Sequence, residues 1–171
     1  EKQQFVDELK ELLQKNVAEV KEQVEAVKTQ FYRQYHQELE AQKKAALEAA
    51  EAAGEVLENW LPSMDELEQE FRELLNQYKQ RRAELQKQVE EELQRNLLRK
   101  ENILAQMKEM ADAETADVMD NLKKMRELQA EWKTIGAVPA PKAQEIWKNY
   151  QQYQERFYDL VKINIELRDL D

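Results

Sequence analysis

Two glycines and three prolines are the only strong turn-formers in 171 residues, so the chain must fold from a few long elements. Sandwiches, barrels and alternating β/α folds need many punctuated turns and are excluded on this count. Glu, Gln, Lys, Leu and Ala dominate the remainder, the residues that lose least on entering a helix. With 42% of residues apolar and 36% charged, each helix can bury one stripe and leave the rest in water. The expectation is an all-α protein.

Apolar spacing divides the chain into five helices. Phe5, Val6, Leu9, Leu12 and Leu13 mark a short helix over residues 2–15. Asn16 is placed to cap a second, longer helix, whose Val17, Val20, Val24, Val27 and Phe31 form a heptad seam. That seam shifts to Tyr32, Tyr35 and Leu39, then fades into an alanine-rich run ending at Gly54, a natural left-handed terminator. Residues 54–63 connect to a third helix, for which Ser63 and Glu66 supply an S-x-x-E capping pattern. From Met64 to about Met110 no Gly or Pro interrupts, giving a helix of roughly 70 Å. Thr115 and Asp117 suit the start of a fourth helix that carries Val118, Leu122, Met125, Leu128, Trp132 and Ile135 and stops at Gly136. Pro141 opens a fifth, lined broadly by Ile146, Trp147, Tyr150, Tyr153, Phe157, Tyr158, Leu160 and Val161.

Around Leu85 to Leu93 the third helix offers only a narrow seam, enough for one antiparallel partner, whereas the residues after 95 have bulk for three helices. The predicted architecture is therefore a long antiparallel, coiled-coil-like helical hairpin continuous with a small three-helix bundle. Residues 1–94 form the N-terminal helix and two-helix arm, and residues 95–171 the bundle.

Specific words appear in the last third: LQAEWKTIGAVP over residues 128–139, then Trp147, Tyr150 and ERFYDL over residues 155–160. These resemble the bacterial domain-of-unknown-function family numbered 349, most closely over about residues 95–165. Its pattern is a Trp-Lys pair, a glycine turn ending in Val-Pro, W-x-x-[FY] and a terminal FYD or FFD. The segment LLQKNVAEVKEQVEAVKTQFYR and the tail KINIELRDLD are similar to Bacteroidota members. The resemblance implies a cytoplasmic helical protein of several such units, of which this sequence, beginning at Glu1, is an N-terminal piece; it implies no activity. Its residues here are Trp132, Gly136, Pro139, Trp147, Tyr150 and Phe157. Two readings stand for them: Trp132 and Trp147 pack together to fix a helical hairpin at Gly136, or Lys133, Lys142 and Lys148 around the turn receive an anionic partner.

No catalytic centre is legible, and no cofactor or metal is expected. His36 is the only histidine, Arg33 stands where a di-iron bundle would place Glu, and His36 reads as a helix-surface residue. Two glycines cannot build a phosphate-cradling loop, and there is no cysteine to act as nucleophile or thiolate ligand. Asp112, Glu114, Asp117 and Asp120 lack the glycine and closing glutamate of a calcium loop.

The third helix carries a basic series, Lys79, Arg81, Arg82, Lys87, Arg95, Arg99 and Lys100, diluted by Glu84 and Glu90 to Glu92. It is either a solvated face laced with i,i+4 pairs or a contact for RNA. In the RNA reading Lys123, Lys124 and Arg126 join it. No apolar run approaches the roughly 20 residues of a membrane span, and a net charge of −10 argues against a duty dominated by phosphate. The sequence thus points to a cytoplasmic, non-enzymatic scaffold that binds a protein partner or itself, with RNA as the alternative and neither membrane nor small-molecule substrate.

Overall fold

The computed structural model describes residues 1–113 and 118–170. The fold is all-α: α1 Lys2–Leu13, α2 Lys21–Ala52, α3 Glu66–Asp112, α4 Val118–Thr134 and α5 Ala140–Leu170. Two compact units divide the chain, Glu1–Gln86 and Lys87–Asp171, whereas the apolar density of the sequence sets the division at 94/95. Helix α3 contributes its first part to unit 1 and the rest to unit 2.

In unit 1 three helices share one core. Val6, Leu9 and Leu13 of α1 meet Val24, Val27 and Phe31 of α2 and Phe71, Leu75 and Tyr78 of α3, with Val20 closing the α1–α2 end. Phe31 and Phe71 are fully buried and stack with ring centroids 4.0 Å apart; burial of each is worth about 1.5–3 kcal/mol. The polar contacts give the helix directions. Lys2 is paired with Glu38 and Asp65, Lys10 with Glu70, and Arg81 bonds to Leu13. Helix α1 therefore runs alongside α3 in the same sense, and α2 runs opposite to both.

This corrects the expected two-helix arm. The short first helix is a full member of the unit, because its stripe Val6-Leu9-Leu13 covers the side of the α2 seam that α3 leaves open. Conversely, the seam expected to hold a partner in the middle of α3 is only partly covered: Val89 is 50% exposed, and Leu85 and Leu93 are half-buried.

Unit 2 buries Leu97, Ile103, Leu104, Met107 and Met110 of α3 against Met125, Leu128 and Trp132 of α4 and Ile146, Tyr150, Phe157 and Val161 of α5. Arg99 lies 4.0 Å from Glu131, and Arg156 pairs with Asp112. Helix α4 thus runs against α3, and α5 returns along it.

Helix ends follow the sequence in part. Gly54 has φ of 72°, with Gly54 N–H bonded to Glu51 O at 3.1 Å and Glu55 N–H to Ala50 O at 2.8 Å, the paired bonds of a Schellman stop. Two expected caps move. Asn16 accepts from Ala18 N–H at 3.0 Å within the connecting turn, and α2 starts later, at Lys21, with no side-chain cap. At α3 the cap is Asp65 rather than Ser63: its Oδ1 accepts from Leu67 N–H at 2.9 Å and Glu68 N–H at 3.1 Å. A carboxylate is the stronger acceptor at a helix N-terminus, and Lys2 holds it in place. Thr115 and Asp117, the expected cap of α4, lie outside the described residues, as does Glu114.

Candidate functional site

The family words converge on one cluster in unit 2. Trp132, at the end of α4, is buried, and its ring lies 4.4 Å from that of Tyr150. On the other side of Tyr150, Trp147 stacks at 5.5 Å and 10°, while remaining 49% exposed. The two tryptophans therefore do not pack on each other as expected; Tyr150 lies between them. Trp147 sits one helical turn before Tyr150, so when Tyr150 points into the bundle Trp147 lies at its margin. Burial, reinforced by the nearby Tyr158, raises the Tyr150 phenol above its usual range.

Gly136 also works differently from the expectation. Its φ is not in the left-handed region, so no unusual backbone geometry requires glycine there. Space is tight instead: a Cβ at Gly136 would stand 3.3 Å from Asn96 Nδ2, the atom that donates to Ala137 O at 2.7 Å. Asn96 thus ties α3 to the α4–α5 turn, a role with no signature in a chain rich in polar residues. Pro139 is half-buried at the turn, accepting at its carbonyl from Lys142 N–H at 2.9 Å. Phe157 is a fully buried core residue.

The basic candidates separate into engaged and free groups. Arg81 Nη1 donates to Leu13 O at 2.6 Å and so closes the C-terminus of α1. Arg82 lies over the Tyr78 ring at 5.7 Å. Arg99 faces Glu131. Lys100 lies over the Trp132 ring at 4.9 Å, and burial lowers its pKa. Lys142 faces Glu145 at 4.0 Å. In contrast, Lys79, Lys87, Arg95, Lys133 and Lys148 are exposed and have no ion pair among the described residues.

His36 is exposed and lies beside Tyr35 and Tyr32, at ring distances of 5.6 and 6.2 Å. The described residues contain no grouping of His, Asp or Glu suited to a metal ion, and none of their helices is long and apolar enough to cross a membrane. The one buried charge among the described residues, Glu68, has a structural duty: it takes the Arg72 guanidinium and accepts from Tyr32 Oη at 3.2 Å. Burial first, then the Glu68 carboxylate, pushes the Tyr32 phenol up to about 12.

Beyond the cluster, α5 shows apolar side chains to solvent. Trp147, Gln151, Gln154, Glu155 and Tyr158 line an open groove of about 500 Å³. Further on, Ile163, Ile165, Leu167 and Leu170 are all exposed. The broad apolar face read from the sequence is thus used in two ways: Ile146, Tyr150, Phe157 and Val161 are core, and Trp147 is surface.

The fold and this site define an all-α protein that bears open surface grooves. The family model described as Domain of Unknown Function (DUF349), the family that the sequence words resemble, matches residues 66–141. The match begins with α3, further upstream than those words, and ends at Pro141, before Trp147, Tyr150 and Phe157. Comparison with the curated proteins and with the solved structures finds no match.

Proposed function

We propose that the protein is a non-enzymatic helical scaffold or adaptor that binds a protein partner through the outward face of α5. The observation that carries this reading is the presentation of Trp147. It is half-exposed, yet its ring is held by stacking on Tyr150, so little side-chain freedom remains to be lost on binding. Positions 147, 151, 154, 158 and 165 recur on one helix face, and the exposed Ile165 extends the Trp147–Tyr158 groove along it. Aromatic anchors at the centre of an open, polar-edged face are what protein interfaces use for most of their affinity. The shifted titratable groups bond or pack within their own units, which supports the non-enzymatic part.

RNA is the competing ligand, and the geometry favours it less. Of the seven residues in the basic series Lys79 to Lys100 on α3, four already have intramolecular contacts, leaving Lys79, Lys87 and Arg95. A photo-crosslinking residue at position 151 of the full chain, irradiated in cells, tests the proposal. A protein adduct that survives ribonuclease and disappears with Trp147→Ala is expected. Adducts only to RNA, or protein adducts unaffected by Trp147→Ala, would overturn it, and RNA adducts lost with Lys87→Glu/Arg95→Glu would install the alternative.

A further inference from the structure

Unit 1 carries a second surface with a different chemistry. Between Lys44 and Arg72 the chain has eight acidic residues and no lysine, arginine or histidine. Three are used within the unit: Asp65 by Lys2, Glu68 by Arg72 and Glu70 by Lys10. The other five, Glu48, Glu51, Glu55, Glu58 and Glu66, are exposed and have no ion pair among the described residues.

The same stretch holds every exposed large apolar side chain of unit 1 among the described residues. Val56 is 85% exposed, Leu61 82% and Met64 73%, and Leu47 and Leu57 join them. Residues 55–65 form no helix or strand, and the α2 face before them bears a shallow groove that includes Leu47, Glu48 and Glu51. Single exposed apolar residues are ordinary, but a cluster confined to one segment and rimmed by charge of one sign marks a contact surface. Uncompensated carboxylates repel one another and repel phosphate, so nucleic acids and anionic lipid surfaces are disfavoured there. An occupant must bring positive charge and apolar side chains on one face, which an amphipathic basic helix does.

We propose that the acidic, apolar face formed by the second half of α2 and residues 55–65 docks a cationic amphipathic helix of a partner protein. Leu57, Leu61 and Met64 receive its apolar stripe, and Glu48, Glu51, Glu55 and Glu58 its Lys and Arg side chains. This surface is independent of the α5 face.

The test titrates the isotope-labelled full chain, followed by amide chemical shifts, with three synthetic peptides. One, of about 18 residues or five helical turns, has Leu and Lys at helical spacing; the second scrambles the same residues; the third replaces Lys by Glu. The expected result is saturable binding of the first peptide with shifts confined to residues 44–66. The scrambled peptide should bind about tenfold more weakly, and the Glu peptide not at all. Leu61→Ser/Met64→Ser, at positions too exposed to support the fold, should weaken binding about tenfold with unchanged melting. Glu55→Gln/Glu58→Gln should weaken it several-fold and flatten its salt dependence. Equal binding of the scrambled peptide, shifts centred elsewhere, or a serine variant that binds like the parent would each overturn the proposal. So would a free protein that self-associates with residues 55–65 already covered.

Discussion

Arg81 stands in the middle of the basic series, yet its geometry assigns it to the fold. Its Nη1 donates to the carbonyl of Leu13, the last residue of α1, at 2.6 Å. The bond satisfies one of the four carbonyls a helix leaves open and places a cation at the negative end of the helix. Helix α1 has 12 residues, too few to be stable alone, so it depends on such tertiary anchors. Arg81→Met keeps the aliphatic stem and removes the donor and the charge. A hydrogen bond to a charged group contributes about 1.5–3 kcal/mol; because Arg81 is exposed and water competes, the lower end, about 1.5 kcal/mol, applies. Unfolding entropy is about 2.1 cal/mol/K per residue. If Glu1–Gln86 melts by itself, the loss lowers Tm by about 8 °C, and if all 171 residues melt together, by about 4 °C. Calorimetry of the full chain reads the shift, and hydrogen exchange should show protection lost first across residues 2–13. Arg82→Met serves as control, since its contact with Tyr78 is worth only about 0.5 kcal/mol. If Arg81→Met leaves both Tm and α1 protection unchanged, while lowering RNA affinity as much as Lys87→Gln does, the assignment to the fold is wrong.

Other expectations follow from single contacts. The Tyr78 hydroxyl is buried and has no hydrogen-bond partner among the described residues; an unpaired buried hydroxyl costs about 1–3 kcal/mol, so Tyr78→Phe should raise urea-unfolding stability by about 1 kcal/mol, and a loss would mean that the hydroxyl is satisfied. Gly136→Ala should destabilise by up to about 1 kcal/mol by pushing Asn96 off Ala137 O, and in an Asn96→Ala background this penalty should vanish, a coupling that a double-mutant cycle reads directly. For Asp65, burial alone would raise the pKa, but Lys2 and the N–H groups of Glu68 and Leu67 hold it below its ordinary value. Its contribution is therefore present above the unfolded carboxylate range and lost as pH falls through the lower folded value, so Asp65→Asn should flatten the acid limb of a stability–pH curve; an unchanged limb would refute the linkage.

How much of the site the sequence disclosed depended on whether spacing or partner choice decided it. Val24, Val27, Phe31 and Phe71 are core because their spacing puts them on one stripe, and any partner would have buried them. The Trp132/Trp147 pair read differently: both are apolar and on suitable faces, but Tyr150 occupies the space between them, and Trp147 is left at the margin. Ser63 and Asp65 are both competent caps two residues apart; the carboxylate is the stronger acceptor, and it is held by Lys2, 63 residues away. Arg81 and Lys87 look alike in a charged helix, yet the end of α1 lies beside one and not the other.

The sequence by itself determined the all-α class, the five helices and core positions such as Val24, Phe31, Met125 and Phe157, because helical period and the scarcity of Gly and Pro are local properties that act whatever the helices pack against. Tertiary structure alone decided that α1 joins α2 and α3 in a three-helix core, that Gly136 stands against Asn96, and which charges and apolar groups stay free. These depend on contacts between residues far apart in the chain, and spacing along one helix carries no information about what lies across from it.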